Sequence, residues 1–200
     1  RSLEIRTRVF GSEHPGVAGS HLNIGAVYDS QGRYEEALVQ YQKALEVFLA
    51  VHGQEHPLVA DSYNNIGEVY RRKGDLENAL LQHQRALEIR TRLFGSEHPG
   101  VAGSHVNIGT VLSSMGKYEE ALVEFKKGLD PHVTVYGQEH LSVAQTCNNM
   151  AIVCNRLGRH EEALVLYQKA LEVFLAVYGQ EHPSVAASYS NIGNVYNDSQ

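Results

Sequence analysis

A glycine returns every 42 residues along this 200-residue chain, at Gly11, Gly53, Gly95, Gly137 and Gly179. A histidine keeps the same step at His14, His56, His98, His140 and His182, and an alanine at Ala37, Ala79, Ala121 and Ala163. A unit of that size cannot bury its own apolar face, so neighbouring units must stack. The chain is therefore read as one array over residues 1–200. It has full units at 11–52, 53–94, 95–136 and 137–178, with partial units at 1–10 and 179–200.

Within a unit the apolar period is helical twice over. After Pro15, which suits the first turn of a helix, Val17, Ala18, His21, Ile24, Gly25 and Tyr28 recur at spacings of three and four. Gly32 supplies a turn, and Tyr34, Ala37, Leu38, Tyr41, Ala44, Leu45 and Phe48 make a second such face ending at Gly53. The spacing predicts helices over 15–31 and 34–51 and their equivalents. No segment alternates with period two, so no strand is expected. Gly25, Gly67, Gly109 and Ala151 fall mid-helix, where Gly costs about 1 kcal/mol against Ala. Close approach of the second helix at Ala37, Ala79, Ala121 and Ala163 explains that cost, with Tyr28, Tyr70 and Tyr196 expected to fill the adjoining holes.

The stretch Ile24-Gly25-x-x-Tyr28, followed by Ala37-x-x-x-Tyr41 and Ala44, resembles the tetratricopeptide signature. The position usually held by Trp is His21, Tyr63, His105, Cys147 and Tyr189. The unit exceeds the ordinary length of about 34 residues. With Glu-His-Pro before the first helix and Asn-Asn-Ile-Gly at 64–67, it resembles the repeats of kinesin light chain and nephrocystin-3. The resemblance implies an all-α, right-handed superhelical solenoid of antiparallel helix pairs. First helices would line its concave face and second helices its convex face. Residues 2–10 would be a second helix without its first, and 184–197 a first helix without its second. Neither end carries a polar cap, so a longer natural protein is expected.

The same family geometry puts Asn23, Asn65, Asn107, Asn149 and Asn191 on the concave face. Asn is a mediocre mid-helix residue, so five at one register invite a reason. One reading is a ladder of amides, each offering donor and acceptor to the backbone of an extended peptide. With helices about 10 Å apart, each repeat would read about three peptide residues. The other reading is that each Asn ties its helix to the neighbouring repeat. Positions beside the ladder vary, with Asn64 and Asn148 among them. Arg71, Arg72 and Arg156, toward helix ends, suit a carboxylate, while Asp29, Asp61 and Glu68 oppose them. Kinesin-light-chain-like arrays imply acidic peptide ligands, a preference these acids weaken.

A net charge of −6 and a pI of about 6.0 argue against nucleic acid or an anionic membrane as partner. No run of about 18 apolar residues would span a bilayer. Cys147 and Cys154, seven apart on one helix, lie roughly 10 Å apart, too far for a disulfide. Buried free thiols point to a cytoplasmic location. The eleven histidines do not cluster and no metal-ligand spacing appears, so no metal or cofactor is expected. The loop histidines are expected to pack or hydrogen-bond at the helix entrance. With no nucleophile motif or phosphate loop, the chain reads as a non-enzyme.

The third unit breaks the pattern. Gly128-Leu129-Asp130-Pro131 stands where Ala44 to Val47 and Ala170 to Val173 read Ala-Leu-Glu-Val, and Leu141 replaces the next loop proline. Pro131 predicts a kink or short break near 128–131. Three functional readings remain: an adaptor binding a protein or peptide partner in the groove, a sensor array beside a nucleotide-hydrolysing domain, and a structural solenoid whose ends stack on copies of itself.

Overall fold

The computed structural model describes residues 2–198, and among them it contains ten helices and no strand. They are α1 (Ser2–Phe10), α2 (Pro15–Ser30), α3 (Tyr34–His52), α4 (Pro57–Lys73), α5 (Leu76–Phe94), α6 (Pro99–Ser114), α7 (Tyr118–Tyr136), α8 (Leu141–Arg156), α9 (His160–Tyr178) and α10 (Pro183–Asp198). The chain forms two compact units, the first ending at Ser96 and the second starting at Glu97. In the first, α2 packs on α3, α3 on α4, α4 on α5, and α1 on α2. In the second, α6 through α10 pack in the same consecutive order. Short connections make consecutive helices antiparallel neighbours.

The loop histidines start the helices. Nδ1 of His14 accepts the Gly16 N–H at 3.0 Å, and His56, His98, His140 and His182 repeat this to Leu58, Gly100, Ser142 and Ser184 at 3.0–3.2 Å. Each imidazole replaces the Ser or Asp that commonly caps an N-terminus. The rings of His14, His56, His140 and His182 also stack on the last aromatic ring of the preceding helix (Phe10, His52, Tyr136, Tyr178), with centroids 4.0–4.6 Å apart. At the other end of α4, Gly74 takes φ 88°, a left-handed turn that lets the Asp75 N–H reach the Tyr70 carbonyl at 2.9 Å.

Each unit has an apolar core. The first is built around Ala18, Ala37, Tyr41, Leu45, Phe48, Val59, Ile66 and Val69, the second around Val143, Cys147, Ala170, Phe174 and Val185. Fully burying a side chain such as Phe48 contributes roughly 1.5–3 kcal/mol. Cys147 and Cys154 are buried free thiols. Burial, with a smaller contribution from Glu162, pushes Cys154 up to about 11, so it stays protonated.

The mid-helix glycines meet a different partner from the one expected. A Cβ on Gly25 would stand 2.8 Å from the Tyr41 ring, on Gly67 3.0 Å from His83, and on Gly109 2.8 Å from Phe125. The ring facing each glycine therefore comes from the second helix, while Tyr28 and Tyr70 lie partly buried against the core of the first unit. Tyr28 also carries the Arg33 guanidinium at 4.3 Å from its centroid, and Tyr196 is 52% exposed. The close approach at the alanine register is present in the third repeat, where the same Cβ would lie 3.2 Å from the Ala121 carbonyl oxygen. Gly19, on α2, has nothing within 4 Å of a Cβ. Gly19→Ala should therefore stabilise the first unit by up to about 1 kcal/mol in chemical denaturation, from helix propensity alone.

The expected break in the third unit is absent, because α7 runs unbroken through Pro131. Gly128 and Pro131 are both buried. A Cβ on Gly128 would lie 2.7 Å from the Ala102 carbonyl oxygen, so α6 and α7 touch closely here. His132 Nε2 also meets the Pro99 carbonyl at 3.3 Å. Packing along this seam keeps continuous a helix that Pro131 alone would weaken.

Candidate functional site

In the first unit, Asn23 lies on α2, and Asn65, Arg71 and Arg72 lie on α4. Asn23 is exposed and Asn65 half-buried. Neither amide side chain makes a hydrogen bond among the described residues, whereas Asn64 is engaged. The cations are committed internally. Arg71 grips Glu68 in a two-pronged pair, Nε to Oε2 at 2.8 Å and a terminal N–H to Oε1 at 2.7 Å. Arg72 adds a third bond to Glu68 at 2.9 Å and reaches Asp29 on α2 at 3.1 Å. Burial works against the charged Glu68, yet the bonds from Arg71 and Arg72 outweigh it and hold the carboxyl below its ordinary range. Asp61 turns elsewhere, accepting from Arg90 on α5 at 2.7 Å.

In the second unit, two adjoining cavities open between α8 and α10. Asn148, Asn149, Asn191, Gln145, Phe174 and Tyr178 border one of about 220 Å³. The other, about 460 Å³, is bordered by Asn155, Arg156, Tyr167, Asn191, Asn194 and Asp198. Asn191 belongs to both, so four of the expected binding residues, Asn148, Asn149, Arg156 and Asn191, share one face. The side chains of Asn149 and Asn191 make no hydrogen bond among the described residues. Asn107, half-buried on α6, is engaged. Asn155 gives its amide N–H to Asp198 Oδ2 at 3.0 Å and faces His160 Nδ1 with its oxygen at 2.9 Å.

Several lining residues were not expected from the sequence, Tyr167 and Asn155 among them. Tyr167 sits beneath Ala151 in the register that covers the glycines, and reaches through to the cavity wall. Burial pushes its hydroxyl up to about 12 although Arg156 lowers it, so it remains a neutral donor. Asn155 is legible only through its partner, since Asn155 and Asp198 are spaced as Asp29 and Arg72 are, 43 apart. That shared spacing marks a recurring polar bridge between consecutive first helices.

The tetratricopeptide repeat family model matches residues 1–50, 20–91, 58–130 and 142–200. The chain is a tetratricopeptide repeat protein. Its fold is similar to that of BtubC (BKLC) from P. vanneervenii, with a TM-score of 0.84 at 21% identity over 99% of this chain and 80% of that one. It is also similar to a putative kinesin light chain with nearly identical TPR-like repeats from Podosopora anserina, with a TM-score of 0.76 at 20% identity over 92% of this chain and 88% of that one. A singly substituted form of that Podosopora protein gives 0.77 at 20% identity, over 92% of this chain and 87% of that one. None of the curated proteins matches the sequence.

Tetratricopeptide repeats generally mediate protein–protein interaction and are typically non-enzymatic scaffolds. In the first and third full repeats of this tetratricopeptide protein the Trp-type position faces the second helix of its own repeat. His21 meets Gln40, and His105 meets Glu124, each at 2.7 Å. That register is thereby taken up in holding a helix pair together and is not part of the candidate surface. No helix among the described residues is long and apolar enough to cross a membrane.

Proposed function

We propose that this protein is an adaptor that binds an extended segment of a partner protein along its first-helix faces. The amides of Asn23, Asn65, Asn149 and Asn191 make the backbone contacts. The observation that carries this reading is that these four amides are uncommitted among the described residues, while Asn64, Glu68, Arg71, Arg72, Asn107 and Asn155 on the same set of helices are engaged. A structural tie between repeats would consume the amide; a peptide contact requires it open. Each amide offers one donor and one acceptor face, which suits a peptide unit.

The test is a screen against an extended-peptide library with the intact chain and with a variant carrying Asn65→Ala, Asn149→Ala and Asn191→Ala. Helicity by circular dichroism should be unchanged, since Ala is the better helix former. Peptides selected by the intact chain should bind the variant at least about tenfold more weakly, from three lost hydrogen bonds of roughly 0.5–1.5 kcal/mol each. Equal affinity would move the interaction surface off the amide face.

A further inference from the structure

The two units hold the arginines at the ends of α4 and α8 in opposite states, and one register position separates them. In the first unit Glu68 sits four residues before Arg72 and three before Arg71, and its two oxygens accept from both. Two repeats on, the same position is Ile152, 37% exposed, and the residue four beyond it is Arg156. Arg156 has no ion pair among the described residues. The acid nearest on the same cavity wall, Asp198, is held by the Asn155 amide. Three groups beside Arg156 are neutral: Asn191, Asn194 and the Tyr167 hydroxyl. A guanidinium with open donors beside amides, in a cavity of about 460 Å³, suits one carboxylate side chain and its peptide unit.

We propose that Arg156 anchors an acidic side chain of the bound segment, and that position 68/152 sets which unit does so. Glu68 acts as a built-in carboxylate that occupies Arg71 and Arg72, so the first unit takes neutral sequence. Ile152 leaves Arg156 open, so the second unit takes an acid. This rests on the peptide-binding reading above and adds its polarity: the second unit takes an acidic sequence and the first an uncharged one.

The experiment follows the arginine Nε–H and asparagine side-chain resonances of the whole chain by NMR. The probes are the peptide Ser-Glu-Ser-Glu-Ser-Glu and its glutamine counterpart. The acidic peptide should shift Arg156 together with Asn191 and leave Arg71 and Arg72 in place. Ile152→Glu installs at 152 the i,i+4 acid that Arg72 already has, and Arg156→Gln removes the cation. Each should weaken the acidic peptide by about tenfold or more beyond any change in the glutamine peptide, the worth of a charge-assisted contact. Glu68→Ile should bring Arg71 and Arg72 into the response. The polarity proposal is overturned if Arg71 and Arg72 of the unmodified chain respond as Arg156 does, or if the two peptides bind alike while the asparagines shift; the latter leaves the peptide-binding reading standing. If neither peptide moves any asparagine, both readings fall.

Discussion

Replacing His83 with Phe should stabilise the first unit by about 2 kcal/mol at neutral pH, the cost of leaving buried polar atoms unpaired, and should remove much of its acid sensitivity. His83 stands at the register where the other repeats place Tyr41, Phe125 and Tyr167. It is 1% exposed, and neither ring nitrogen has a hydrogen-bond partner among the described residues. Burial lowers its pKa from an ordinary 6.5 to about 4; Glu68 pulls it up, and Arg71 and Arg90 push it down. The unfolded chain therefore takes up the proton first. Stability is full above the unfolded value and is lost as pH falls from about 6.5 to about 4, by about 3 kcal/mol in all. Phe fits the slot, because Phe125 fills its equivalent at 1% exposure against Gly109. Amide exchange across α4 and α5, followed from about pH 7 to about pH 4.5 in both chains, is the measurement. If the intact chain and the variant lose protection in parallel, His83 is not the titrating group.

The contrast between His83 and its counterparts shows what was legible in the sequence. Helices and their order follow from a 42-residue period carrying two apolar faces, because apolar spacing of three and four reports the helical turn; the family follows from resemblance to the signature at Ile24, Gly25, Tyr28, Ala37 and Tyr41. The predicted 34–51 helix appears as Tyr34–His52 and the predicted 15–31 helix as Pro15–Ser30. Which ring covers Gly25 was not legible. Tyr28 and Tyr41 both lie on apolar faces, and only the packing of α2 on α3 distinguishes them. The same holds for the candidate groove. Asn149, Asn191 and Arg156 are visible as a register, but the pairing of Glu68 with two arginines depends on side-chain geometry three and four residues apart. The acids seen opposing the arginines proved to be of two kinds, since Glu68 and Asp29 quench them and Asp61 does not.

Gly128 should be the costliest glycine in the second unit to replace. Elsewhere this register holds Ala44, Ala86 and Ala170, each fully buried, so an alanine there looks harmless from sequence. In α7 its Cβ would stand 2.7 Å from the Ala102 carbonyl oxygen and 2.7 Å from Val106 Cγ2. The valine methyl can turn aside; the carbonyl belongs to the backbone of α6 and cannot. Helix propensity favours Gly128→Ala by about 1 kcal/mol, but overpacking against a fixed backbone costs about 1–3 kcal/mol, and parting α6 from α7 would also disturb the His132 contact with Pro99. The net expectation is destabilisation of about 1–2 kcal/mol, opposite in sign to Gly19→Ala. Chemical denaturation of the two variants beside the intact chain reads this directly. Should Gly128→Ala stabilise as Gly19→Ala does, α6 can yield at Ala102, and the seam does not explain how α7 stays continuous through Pro131.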